Sequence, residues 1–146
     1  MSAVTPRRRA RELVLQGLYE RQLAGSADDA IAGSLTASRG YARADGDYFH
    51  ELWRGVAGEY DELLHTVEPK VDRKLKELAP IERALLVIGT WELKHRLDIP
   101  YKVVINEAVE LAKTYGGTDG HRFVNGVLDK LAPELRAAEI RASGER

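Results

Sequence analysis

Between Asp45 and Val67, nine apolar residues fall on one face of a 3.6-residue period: Phe49, Leu52, Trp53, Val56, Ala57, Tyr60, Leu63, Leu64 and Val67. That spacing commits the stretch to an amphipathic helix, since a strand would bury alternate residues. The same periodicity recurs along the chain and period-two alternation does not, so the sequence predicts an all-α protein. The remaining segments follow from their start and stop signals. Thr5-Pro6 is a cap followed by proline at the first helical position, and a helix runs from there to about Ala24 on Ala10, Leu13, Val14, Gly17 and Leu18. Residues 25–44 are small and polar and read as a loop with at most one short helical turn. Pro69 ends the second helix, and a short helix over 70–78 turns Val71, Leu75 and Leu78 inward.

Pro80 opens a fourth helix, PIERALLVIGTWELKHRL, apolar nearly all round and therefore central. Asp98-Ile99-Pro100 breaks the chain and starts a fifth. This helix carries Val104, Ala108, Leu111, Ala112 and Tyr115 at helical spacing and is closed by Gly116-Gly117, where one glycine supplies a left-handed residue. Thr118 or Asp119 caps the sixth, whose stripe is Phe123, Val124, Val127, Leu128 and Leu131 and which runs to Leu131 or, past a kink at Pro133, to about Ile140. The expected architecture is one domain over 1–146, a bundle of about six to seven helices, with residues 1–5 and 141–146 disordered.

Composition narrows the function. The chain has 146 residues, 44% hydrophobic and 31% charged, and a net charge of −1. These values fit a folded domain with a sizeable core. No apolar run reaches the roughly 18 residues of a membrane span, and no signal peptide precedes the first helix. Cysteine is absent, so no disulfide, thiolate metal site or cysteine nucleophile is available, and the expected location is cytoplasmic. His50, His65, His95 and His121 stand at no metal-binding spacing, the serines lie in no nucleophile elbow, and no glycine-rich phosphate loop occurs. The expectation is no cofactor, no metal and no enzymatic activity.

Charge distribution says more than its sum. Residues 1–24 hold five arginines against two glutamates. Arg7, Arg8, Arg9 and Arg11 occupy the start of the first helix, where the dipole disfavours cations. An Arg8–Glu12 pair offsets only a few tenths of a kcal/mol, roughly. A locally unfavourable choice of this kind points to a functional demand, and forked guanidinium donors suit phosphates. Arg7 and Arg11 share a face, while Arg8 and Arg9 point elsewhere. The alternative is a solvated, solubilising helix end. A second polar and aromatic concentration lies at the turn between the fifth and sixth helices: Lys113, Tyr115, Asp119, His121 and Arg122. Tyr115, His121 and Phe123 are candidate stacking surfaces for unpaired bases. Each also has a plainer reading: Phe123 as core, Asp119 as a helix cap, His121 as a surface residue, Asn125 as a partner for nearby backbone.

The words RRRARELVLQGLYE, PYKVVINEAVELAKTYGG and HRFVNGVLDKLAPELR resemble the bacterial NusB family, the transcription antitermination and termination factors. The resemblance runs from Arg7 to about Arg136. It implies two packed three-helix bundles, one per half. It also implies a non-catalytic RNA-binding factor that recognises boxA, a short single-stranded element of ribosomal-RNA operon leaders. The implied partner is NusE, a small-subunit ribosomal protein, and the pair joins RNA polymerase with other Nus factors. RNA-contacting positions map onto Arg7, Arg8, Arg9, Arg11, Lys113, Tyr115, Asp119, Gly120, His121, Arg122, Phe123 and Asn125, and NusE-facing positions onto Tyr19 and Glu82. Together the arginines and the turn would make one continuous RNA-facing surface. The family often has Ser where this chain has Gly120, which removes a hydroxyl and leaves Asp119 to cap alone. NusB-like domains also occur fused to ribosomal-RNA methyltransferases; the lack of a cofactor-binding unit here points to the free-standing type. A rival reading is a helical protein-interaction module or homodimeric scaffold that binds no RNA.

Overall fold

The computed structural model describes residues 4–144, and among them every regular element is helical. The chain divides into two compact units that meet in sequence between Glu59 and Tyr60. The expected single helix over 45–67 breaks at that point, where Glu59 leaves helical geometry (φ −113°, ψ 19°). The apolar stripe carries on across the break, which is why the sequence reads as one helix. The expected disorder of residues 1–3 and 145–146 lies outside the described residues.

In the first unit, α1 (Pro6–Ala24) starts as expected: the Thr5 hydroxyl accepts from the Arg8 N–H at 3.1 Å and Pro6 takes the first helical position. Gly25 closes it with a left-handed φ of 69°, its N–H donating to Arg21 O at 3.1 Å. The loop expected over 25–44 is largely helical. α2 spans Asp28–Thr36, and a 3-10 turn covers Arg39–Arg43. Only two large apolar residues, Ile31 and Leu35, hold α2 to the core, and both are buried. Their approach depends on Gly17 of α1. A Cβ there would lie 2.7 Å from the Trp53 ring, 3.0 Å from Leu35 and 3.1 Å from Ile31. α3 (Gly46–Gly58) is capped by Asp45, which accepts the Tyr48 N–H at 3.0 Å, and buries Phe49, Leu52, Trp53 and Val56.

The second unit holds α4 (Tyr60–Val67), 3-10 turns at Glu68–Lys70 and Leu75–Glu77, α5 (Pro80–His95), α6 (Tyr101–Tyr115), α7 (Gly120–Leu135) and α8 (Ala137–Ala142). The short helix expected over 70–78 is thus two tight turns, with Leu78 the buried anchor. α5 is buried on every side from Ala84 to Leu93, with α4, α6 and α7 against it. The sixth helix, expected to end at Leu131 or to reach Ile140, ends between the two at Leu135, and the chain resumes as α8, which extends helix into the tail expected to be frayed. Between them sits Arg136, 3% exposed. Its Nε donates to Leu93 O (2.8 Å), Nη1 to Ile99 O (2.8 Å), and Nη2 to Arg96 O (2.8 Å) and Glu92 O (3.2 Å). One guanidinium thereby joins four carbonyls at and just past the C-terminus of α5; those of Leu93 and Ile99 take it as donor, while those of Glu92 and Arg96 also accept the Arg96 and Ile99 N–H groups. Among the described residues no helix is long and apolar enough to cross a membrane.

Candidate nucleic-acid interface

The basic end of α1 separates into two kinds of arginine. Arg7 and Arg11 share a face, as their spacing requires, but that face turns onto α3. Their guanidinium carbons stand 4.4 and 5.5 Å from the centre of the buried Tyr48 ring. Arg11 is only 3% exposed, which corrects its placement among the phosphate contacts: its charge is spent inside the unit, over an aromatic face. Arg7 remains half-exposed, with Nη2 3.9 Å from the Asp45 carboxylate. Asp45 binds the two helix starts together, because its own N–H donates to Pro6 O at 2.9 Å. Arg8 and Arg9 are half-exposed, and Arg9 donates to Glu12 at 3.1 Å. No acidic residue lies in the first turn.

At the α6–α7 turn, neither Gly116 nor Gly117 is left-handed; Gly116 is extended (φ −87°, ψ 179°). Glycine is needed there for a different reason. Glu82, in the first turn of α5, sends its carboxylate into the turn, where Oε2 accepts the Gly117 N–H at 3.1 Å. A Cβ on Gly116 would lie 2.5 Å from that oxygen, and a Cβ on Gly120 2.1 Å from it. The two glycines leave the space the carboxylate fills. The expected side-chain cap from Asp119 is absent. Its backbone carbonyl instead accepts from Arg122 (3.1 Å) and Phe123 (3.2 Å), and its carboxylate is exposed.

Lys113, Tyr115 and Arg122 are exposed, and Lys113 donates to Glu110 at 3.2 Å. Tyr115 therefore leaves the apolar stripe to which its spacing assigned it. His121 is half-buried, and exposed Asn125 donates to Asp129 at 3.4 Å. Phe123 is half-buried and not core. Its ring carries the Arg73 guanidinium 4.4 Å from its centre. Arg73 donates through Nε to Asp72 at 2.9 Å, and that hydrogen bond, with the guanidinium charge, holds the Asp72 carboxyl below the usual carboxylate range. Arg73, Asp45 and Tyr48 are site residues that sequence spacing does not reveal, because each reaches its partner through tertiary packing. Among the described residues no group of His, Cys, Asp and Glu is arranged to hold a metal ion.

Comparison with known proteins decides the family. The NusB family model matches residues 8–133. The chain belongs to the NusB family. The transcription antitermination protein NusB of Aromatoleum aromaticum is 51% identical over 97% of this chain and 98% of its own. That of Cupriavidus pinatubonensis is 52% identical over 93% of this chain and 81% of its own. A solved structure of T. maritima NusB superposes with a TM-score of 0.79 at 28% identity, covering 90% of this chain and 94% of that one.

Within this member of the family, the two residues mapped to a protein partner stand differently. Tyr19 is 42% exposed on α1, and Leu23, one turn later, is 57% exposed, so the helix shows solvent an apolar pair. Glu82 is 5% exposed and faces the Gly116–Gly120 turn, which corrects its placement on a partner-facing surface. The departure at Gly120 also acquires a reason. A serine there would meet the Glu82 carboxylate, so this chain takes glycine where the carboxylate is seated.

Proposed function

We propose that this protein is an RNA-binding transcription antitermination factor. It binds the single-stranded boxA element of ribosomal-RNA operon leaders together with NusE, and the pair joins the RNA polymerase antitermination complex. The observation that carries this reading is the first turn of α1, where Arg7, Arg8 and Arg9 are half-exposed and no acidic residue stands among them. That turn adds three guanidinium groups to the positive end of a helix dipole, which suits a phosphate backbone. Family membership supports it, since the relatives are named transcription antitermination proteins.

In this reading Arg7, Arg8 and Arg9 neutralise phosphates, while Lys113, Tyr115, Asp119, His121, Arg122, Phe123 and Asn125 meet bases and backbone at the turn. Gly120 and the buried Glu82 shape the turn from below. Tyr19, with Leu23 beside it, faces NusE. Two modest interfaces on one ligand gain through effective concentration. The decisive experiment is a gel-shift titration of boxA RNA against a scrambled strand, with and without NusE. The expected result is preference for boxA that strengthens when NusE is added. Equal binding to both strands in both conditions would leave the protein-interaction scaffold as the better account.

A further inference from the structure

The Phe123 ring lies between two grooves of the second unit. One, of about 270 Å³, is lined by Arg73, Glu82, Phe123 and the Gly117–Gly120 turn. The other, of about 130 Å³, is lined by Lys70, Asp72, Arg122, Phe123 and Lys130 among others. An aromatic ring standing half-buried between a groove at the glycine turn and one with Lys70, Arg122 and Lys130 in its lining has the make-up of a single-strand site. Such sites combine a stacking platform with a charged track. The face of this platform is not open to a base as it stands, because the Arg73 guanidinium covers it at 4.4 Å. Asp72 steadies that cover through the Arg73 Nε.

We infer that Arg73 is a displaceable cover on an unpaired-base platform: one RNA base takes its place on the Phe123 ring, and the freed guanidinium moves to a neighbouring phosphate of the same strand. This rests on the reading of the α6–α7 turn as an RNA site and adds to it a residue from the Lys70–Leu78 connection. A base stacked on an aromatic ring gains more than an exposed cation over the same ring, and the arginine recovers its interaction as a charge-assisted phosphate contact. While RNA is absent, the guanidinium keeps water off an aromatic face that would otherwise lie bare at the surface.

The test uses the full chain and boxA RNA carrying 2-aminopurine at successive positions. Binding is measured across salt concentrations for the wild type, Arg73→Met and Arg73→Lys. Methionine keeps an apolar cover without charge; lysine keeps the charge without the planar fork. In the wild type, 2-aminopurine emission should be quenched by stacking at one position, and that quenching should be lost in Phe123→Leu once its melting curve shows a folded protein. Arg73→Met should lower the slope of log K against log salt by about 0.7, the loss of one single-strand phosphate contact, and Arg73→Lys should keep it. An Arg73→Met slope equal to the wild type, in a protein that still binds boxA, overturns the inference and leaves the proposed function standing. Failure of the wild type to bind boxA overturns both.

Discussion

A single carboxylate crowds two glycine positions of this chain. Glu82 occupies volume that side chains at 116 and 120 would need, and at 116 the Ala112 carbonyl crowds the same space, so both glycines answer to contacts and not to a left-handed backbone angle. Gly120→Ser should therefore cost about 1–3 kcal/mol, the usual penalty of forcing atoms into filled space. Glu82→Ala should lose stability by itself through the orphaned Gly117 N–H, yet absorb part of the Gly120→Ser penalty when the two are combined. Urea unfolding of both single variants and the double variant measures this, and additive losses would show that the two positions do not share the space. Arg11 teaches the same lesson about burial. Its sequence neighbours are basic and surface-like, so the run RRRAR reads as one patch. Packing against the other helices of the unit, which the run itself does not display, separates the buried cation from the exposed ones.

At the scale of elements, legibility followed the density of large apolar residues. α1, α5, α6 and α7 carry several per turn and were readable from spacing. α2 was not, because DDAIAGSLT offers only Ile31 and Leu35, and its helix is held by packing against α1 more than by its own pattern. The break at Glu59 was hidden for the opposite reason, an apolar stripe that does not pause. Gly17→Ala tests the close packing behind α2. With 2.7 Å to the Trp53 ring, the added methyl should destabilise the first unit by about 1–3 kcal/mol, against the few tenths gained from better helix propensity, and thermal melting would report it. The cap on α5 is a second test. Arg136→Met should fit the space yet strand the Leu93 and Ile99 carbonyls, costing on the order of 3 kcal/mol and lowering the urea midpoint. A midpoint within error of the wild type would mean that water or a neighbouring donor serves those carbonyls equally well.

For the whole molecule, the net charge of −1 hides a division of labour between an arginine-rich start and an acidic remainder. Salt dependence is the property that exposes it. Replacing Arg8 and Arg9 together by Ala should leave the melting temperature close to that of the wild type, since both lie half outside. On boxA RNA the salt slope should flatten by about 1.4, two contacts at roughly 0.7 each. An unchanged slope would remove the α1 arginines from the RNA path. Family and fold class were readable from whole words of sequence. The candidate site was readable only as a set of residue types: which arginine is buried, which glycine makes room and which ring is covered are decided by contacts between segments distant in the chain.

The chain has two tryptophans, Trp53 in α3 and Trp91 in α5, and the boundary at Glu59–Tyr60 leaves one on each side of it. Nature has in effect wired a separate optical gauge into each half. With Trp91→Phe, emission follows the first unit alone, and with Trp53→Phe the second. Read that way, Gly17→Ala should register on the first gauge and Arg136→Met on the second. The same pair would tell whether the two halves let go together or in turn.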